Sequence, residues 1–75
     1  MVMETRTVQI NQEPVELYRI LKFEGLVDSG GAAKQVIGAG EVLFNGVVET
    51  RKRKKVVSGD QIEFAGILLL IELET

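Results

Sequence analysis

The dipeptide Asn45-Gly46, set between the apolar runs Val42-Leu43-Phe44 and Val47-Val48, constrains this chain more than any other feature. A two-residue hairpin turn whose twist suits its flanking strands needs positive φ at both central residues, and Asn-Gly meets that need at least steric cost. The stretch EVLFNGVVET therefore predicts a β-hairpin in the second half of the chain. With 75 residues in all, there is room for one small domain, residues 1–75. A chain of this length buries only about 60% of the surface it could expose, so few side chains can form the core.

The remaining elements fall into place around that hairpin. Ser58-Gly59-Asp60 reads as a turn, followed by Gln61-Ile62-Glu63-Phe64, in which Ile62 and Phe64 alternate with polar neighbours as in a half-buried strand. Ala65-Gly66 predicts a tight reversal into ILLLIEL, residues 67–73. That last strand alternates little, which predicts cover on both faces or packing on a partner. Upstream, Arg6, Val8 and Ile10 alternate weakly as a strand would. Leu17, Ile20, Leu21 and Glu24 then lie on one helical stripe, flanked by Tyr18 and Phe23, with Pro14 in the first turn and Gly25 at the C-terminal cap. Asp28 or Ser29 can cap a second helix whose narrow apolar face is Ala32, Ala33, Val36 and Ile37, and Gly40 ends it. The expected class is α+β: a two-helix hairpin packed on a small, mainly antiparallel β-sheet.

Charge is distributed unevenly. Net charge is −2, yet five of the nine cations are consecutive, Arg51-Lys52-Arg53-Lys54-Lys55. Such a run can guard a sheet edge, serve as a nuclear address or be a plain polar loop. Five adjacent charges repel one another, however, and a folded segment that keeps them points to a polyanion. The glycine-rich entry to the second helix, DSGGAAK, offers backbone N–H groups that attract phosphate, although Ala33 before Lys34 and Gln35 after it exclude a P-loop. Read alone, it is a cap followed by small residues for close packing. The sequence contains neither histidine nor cysteine. Ser29 and Ser58 therefore have no histidine to activate them, thiolate metal sites are ruled out, and the acids are too scattered to predict a cation site. The expectation is a non-enzyme with no cofactor and no metal. The first ten residues have no apolar stretch of the signal-peptide kind, and the longest apolar run falls far short of the ~20 residues of a membrane helix. A cytoplasmic protein with no membrane partner is expected.

Taken together, Leu17, Leu21, Ser29, Ala33, Lys34-Gln35, Ile37, Gly40, Val42, Asn45-Gly46, Val56, Gly59-Asp60 and Ile62 resemble, in order and spacing, the αL RNA-binding motif. This is the domain of the ribosomal small-subunit protein S-four, with related copies in pseudouridine synthases, tyrosyl-tRNA synthetases and a heat-shock protein that binds ribosomal subunits. Within the family, the chain is most similar to small stand-alone bacterial members that consist of little but this domain. The resemblance implies a core motif of about residues 14–65 and an RNA-binding face made by the start of the second helix and the loop after the hairpin. Ser29 and the backbone of Gly30 and Gly31 would meet phosphate, and Lys34 and Gln35 would lie along the RNA. Arg51, Lys52, Arg53, Lys54 and Lys55 would grip it, with Lys22 extending the surface and Val56 returning the chain to the core. Many family members carry Arg after the helix-two Ser; Gly30 in that place removes one phosphate contact and shifts the expected basic surface onto Lys34 and the pentamer. The implied partner is structured RNA, ribosomal or transfer, with a ribosome-associated or RNA-processing protein as a further partner and a monomer as the expected state. No aromatic residue lies within the basic run, so base stacking is not expected. The competing reading is a protein-interaction adaptor or dimerisation module that uses the apolar edge of the C-terminal strand.

Overall fold

The computed structural model describes residues 4–74. Seven strands and two helices follow one another along the chain: β1 (Glu4–Ile10), β2 (Val15–Glu16), α1 (Leu17–Phe23), α2 (Gly30–Gly38), β3 (Leu43–Phe44), β4 (Val47–Val48), β5 (Lys55–Val56), β6 (Gln61–Phe64) and β7 (Ile67–Leu73). Five strands form one sheet in the order β1-β7-β6-β3-β4, and β2 pairs separately with β5. Within the five-stranded sheet only β1 and β7 run parallel; every other pairing is antiparallel. The α+β class and the mainly antiparallel sheet are as expected.

Local chemistry explains most of the turns. Asn45 and Gly46 take φ of 50° and 85°, the paired left-handed conformation that the β3–β4 hairpin requires. The Asn45 side chain then does a second job. Its amide donates to Asp60 Oδ1 at 3.1 Å and its carbonyl oxygen accepts from the Gln61 N–H at 2.8 Å. Asp60 in turn accepts from the Val57 N–H at 2.9 Å. The Asn-Gly hairpin and the Gly59-Asp60 turn are thus one hydrogen-bonded unit, and they hold both ends of the basic segment between them.

Both helices end in the same way. Leu26 N–H reaches back to Leu21 and Gly25 N–H to Lys22, while Glu41 and Gly40 repeat the pattern on Val36 and Ile37. These pairs of bonds satisfy carbonyls that a helix end leaves orphaned, with Gly25 and Gly40 at positive φ. Leu17, Ile20 and Leu21 of α1 and Ala33 and Ile37 of α2 are fully or almost fully buried. They share one core with Val8, Ile10, Val42, Val56, Ile62, Leu69 and Ile71 from the strands and loops. The helices therefore cover the inward face of the sheet. Ala33, with no more than a methyl group, lets α2 sit close within that core.

Two expectations need correction. Pro14 is not in the first turn of α1: it follows a cis peptide bond and precedes the short strand β2, and the helix starts at Leu17. The reason is that Val15 and Glu16 pair with Val56 and Lys55, which commits this stretch to extended backbone. The C-terminal strand offers no edge for docking, because β7 lies between β1 and β6 and bonds to both. Its inward residues Leu69 and Ile71 are buried, while Leu68 and Leu70 on the outer face are only half-buried. No helix among the described residues is long and apolar enough to cross a membrane.

Candidate nucleic-acid interface

The basic segment is bound down at its backbone. Leu17 N–H donates to the Lys54 carbonyl at 2.9 Å and Tyr18 N–H to the Lys52 carbonyl at 3.2 Å. The start of α1, whose Glu16 side chain supplies no cap, is instead satisfied by the loop. Lys54 N–H closes the turn on the Arg51 carbonyl, and β5 joins the loop's exit to β2. Val56 then enters the core with no exposure, as the resemblance implies. The five cations ride on a fixed frame rather than on a mobile tail.

The side chains divide by type. Arg51 makes a two-pronged bond to Glu49, Nε to Oε2 at 2.9 Å and Nη2 to Oε1 at 3.0 Å, and its own N–H adds a third contact at 3.1 Å. Glu49 is buried to 9% exposure, and the Arg51 hydrogen bonds lower its pKa to about 2, with Lys54 adding to the attraction. Arg53 Nη1 sits 3.3 Å from both oxygens of Glu16. The lysines behave otherwise: among the described residues Lys52, Lys54 and Lys55 form no ion pair. The Lys52 stem crosses α2 at Gly38, where an added Cβ would lie 3.2 Å from Lys52 Cε. Lys54 Nζ lies 5.3 Å from the centre of the Phe44 ring. Lys55 is exposed opposite Glu16 in the β2–β5 pair.

The start of α2 is linked to this loop through Tyr18, whose ring lies beside Gly30 and 5.4 Å from the Arg53 guanidinium carbon, whereas Lys52 meets the helix at its far end. Ser29 caps the helix, its Oγ accepting from the Ala32 N–H at 3.1 Å. Gly30 and Gly31 occupy the first two helical positions, ahead of the intrahelical ladder, so their N–H groups are the orphan donors of a helix start. Gly30, Lys34 and Gly38 recur every four residues and so form one row on the helix, with Gly31 and Gln35 in the adjacent row. Lys34 and Lys52 therefore flank the same helical face, on which Gln35 is exposed. Lys22 is exposed on α1, one turn beyond Tyr18.

One aromatic residue joins these parts, and sequence reasoning placed it only on the flank of the α1 stripe. The Tyr18 ring lies 4.6 Å from Lys34 Nζ, 5.4 Å from the Arg53 guanidinium carbon and 5.9 Å from that of Arg19. Arg19 Nε also donates to the Tyr18 hydroxyl at 3.3 Å, which lowers the phenol's pKa, and lies 3.6 Å from Glu16. Tyr18 and Arg19 thus belong to the basic face although neither stands in the pentamer. No aromatic lies within the basic run, but Tyr18 and Phe44 from other elements meet its cations in space. Tyr18 with Lys22 at i+4 was a readable signal for a polar helix face; that Lys34 and Arg53 meet it there was not. Arg6, by contrast, is held elsewhere, by Glu4 and the Glu24 carbonyl. Among the described residues no cluster of acids could hold a metal ion.

A structured loop beside a helix start, joined by Asn-Gly and Gly-Asp turns, defines a recognisable class. The family model for the S4 domain matches residues 8–72, and the chain belongs to that family. It is similar to YbcJ of Escherichia coli (strain K12), 48% identical over 61 residues that span 80% of this chain and 87% of that one. It is also 34% identical, over 79% of its length and 83% of the relative's, to a Bacillus subtilis (strain 168) protein named probable ribosome maturation protein RlbA. Among solved structures, the solution structure of YbcJ from Escherichia coli covers 88% of this chain and 85% of its own, with TM-score 0.68 and 43% identity. That structure is described as revealing an αL motif involved in RNA binding.

Proposed function

We propose that this chain is a small, single-domain RNA-binding protein that holds structured RNA by its phosphates. The observation that carries the reading is the basic loop itself. Five cations are anchored by main-chain bonds from Leu17 and Tyr18 beside the open start of α2, in a protein of net charge −2. The acidic remainder disfavours phosphate elsewhere, so polyanions approach by one face. Ser29, Gly30, Gly31, Lys34 and Gln35 supply the helix side of that face, Lys52, Lys54 and Lys55 the loop side, and Lys22 its margin. Arg51 and Arg53 serve it partly through the loop's shape, because Glu49 and Glu16 already engage them. Membership of the S4 domain family and the RNA-binding description of the YbcJ structure support this reading. The Bacillus subtilis relative is named a probable ribosome maturation protein, which supports ribosomal over transfer RNA as the ligand; the proposed place of action is the cytoplasm.

Binding of this kind reads shape and backbone more than base edges. If three to five cations meet phosphates, log K should fall against log salt with a slope of roughly −2 to −4. Fluorescence anisotropy with a folded ribosomal RNA fragment, an unstructured strand and duplex DNA, each across a salt series, tests the proposal. Tightest binding to the folded RNA with that slope is expected. Equal, salt-insensitive binding to all three, or none, would overturn it.

A further inference from the structure

Three cations that are distant in sequence converge on a single ring. Lys34 comes from α2, Arg53 from the basic loop and Arg19 from α1, and Tyr18 lies within 6 Å of each. Like charges brought this close repel, so something must offset their proximity. Two groups here can do so. Glu16 contacts Arg19 at 3.6 Å and Arg53 at 3.3 Å, but no ion pair links it to Lys34. Among the described residues, the electron-rich ring of Tyr18 is the feature that all three cations share. The ring also lies beside the start of α2: a Cβ added at Gly30 would meet Tyr18 Cε2 at 3.5 Å, an ordinary packing contact.

We infer that Tyr18 is a positioning residue that gathers Lys34, Arg53 and Arg19 into one pre-formed phosphate-binding cluster, and that it does not stack on a base. The inference rests on the RNA-binding reading above and adds how the site is assembled and what part of the ligand it takes. Cations already lie over the ring, so an incoming base would have to displace them, whereas a phosphate oxygen can approach them from outside. The ligand class that follows is the continuous backbone of folded RNA rather than an unpaired base.

The test compares Y18L and Y18F with wild type. In the absence of RNA, the Lys34 side-chain proton resonances should show the upfield ring-current shift of an overlying aromatic ring in wild type and Y18F, and lose it in Y18L. This readout stands whether or not RNA binds. With folded RNA, Y18L should bind about fivefold to tenfold more weakly and show a salt slope shallower by about one. Y18F, which keeps the ring but not the hydroxyl, should recover most of the affinity. Y18L with unchanged affinity and slope would overturn the inference. So would weaker binding at unchanged slope together with a loss confined to single-stranded RNA, the signature of base stacking. A thermal melt of Y18L matching wild type separates these outcomes from simple unfolding. If wild type shows the ring-current shift but no salt-dependent RNA binding, the RNA reading fails and the geometry stands.

Discussion

The arginines and lysines of one short loop do different work. Arg51 and Arg53 remain largely exposed but are each paired with a carboxylate of their own chain, Arg51 with its planar fork on Glu49 and Arg53 with one nitrogen on Glu16. Among the described residues Lys52, Lys54 and Lys55 form no such pair; the Lys52 stem lies at Gly38 and the Lys54 ammonium near the Phe44 ring. The division follows from side-chain chemistry. A guanidinium presents parallel donors that suit a fixed carboxylate, whereas an ammonium is a mobile, strongly hydrated point charge. A run that looks uniform in the sequence thus divides: Arg51 secures the loop on Glu49, Arg53 joins both Glu16 and the Tyr18 ring, and the three lysines have no carboxylate partner among the described residues.

Replacing the lysines (K52A/K54A/K55A) should weaken binding of folded RNA on the order of a hundredfold at physiological salt. Chemical denaturation should meanwhile show the stability nearly unchanged, since no buried partner is lost.

The carboxylate that organises the arginine side should show the opposite pattern. E49Q removes the charge that accepts three bonds from Arg51 and should cost about 2 kcal/mol of stability, read from urea melts. Its pH dependence has a definite sign. Glu49 has a pKa lowered to about 2 in the folded chain, so its contribution is fully present above the unfolded value near ~4.3. That contribution is lost as pH falls from there towards 2. Wild type should therefore lose more stability than E49Q over that interval. Identical acid profiles would contradict the assignment.

Smaller effects should follow at the borders. S29A deletes the bond to the Ala32 N–H and should cost about 1 kcal/mol, with a few-fold loss of RNA affinity as the α2 start frays. E16Q releases Arg53 and Arg19 from a half-exposed ion pair and should change stability by only a few tenths of a kcal/mol. RNA affinity should rise slightly in E16Q, because an acid has left the basic face. A marked fall would mean that the arginines need Glu16 to hold their positions.

What could be read from the sequence follows the range of the interactions involved. Asn45-Gly46, Ala65-Gly66, the Ser29 cap and the two glycine helix ends are decided within a few residues, and each stands as expected. The parallel pairing of β1 with β7 joins strands from opposite ends of the chain, and no local pattern encodes a partner or a direction. The β2–β5 pair is two residues long, too short for any alternation to show, so Val15 and Glu16 passed for the start of a helix. The same limit applies to the candidate site. The pentamer and the glycine-rich helix start were visible as composition, but Glu49, Glu16 and Tyr18 take their roles from contacts across the fold.

The most direct test is the salt slope of folded-RNA affinity, measured side by side for wild type, K52A/K54A/K55A and R51A/R53A. If lysines meet the phosphates and arginines mainly build the loop, the lysine variant should lose about two to three units of slope. The arginine variant should lose less than about one, with its larger deficit in stability. Equal slope losses, or a greater loss for the arginine variant at unchanged stability, would contradict the division of labour proposed for this loop.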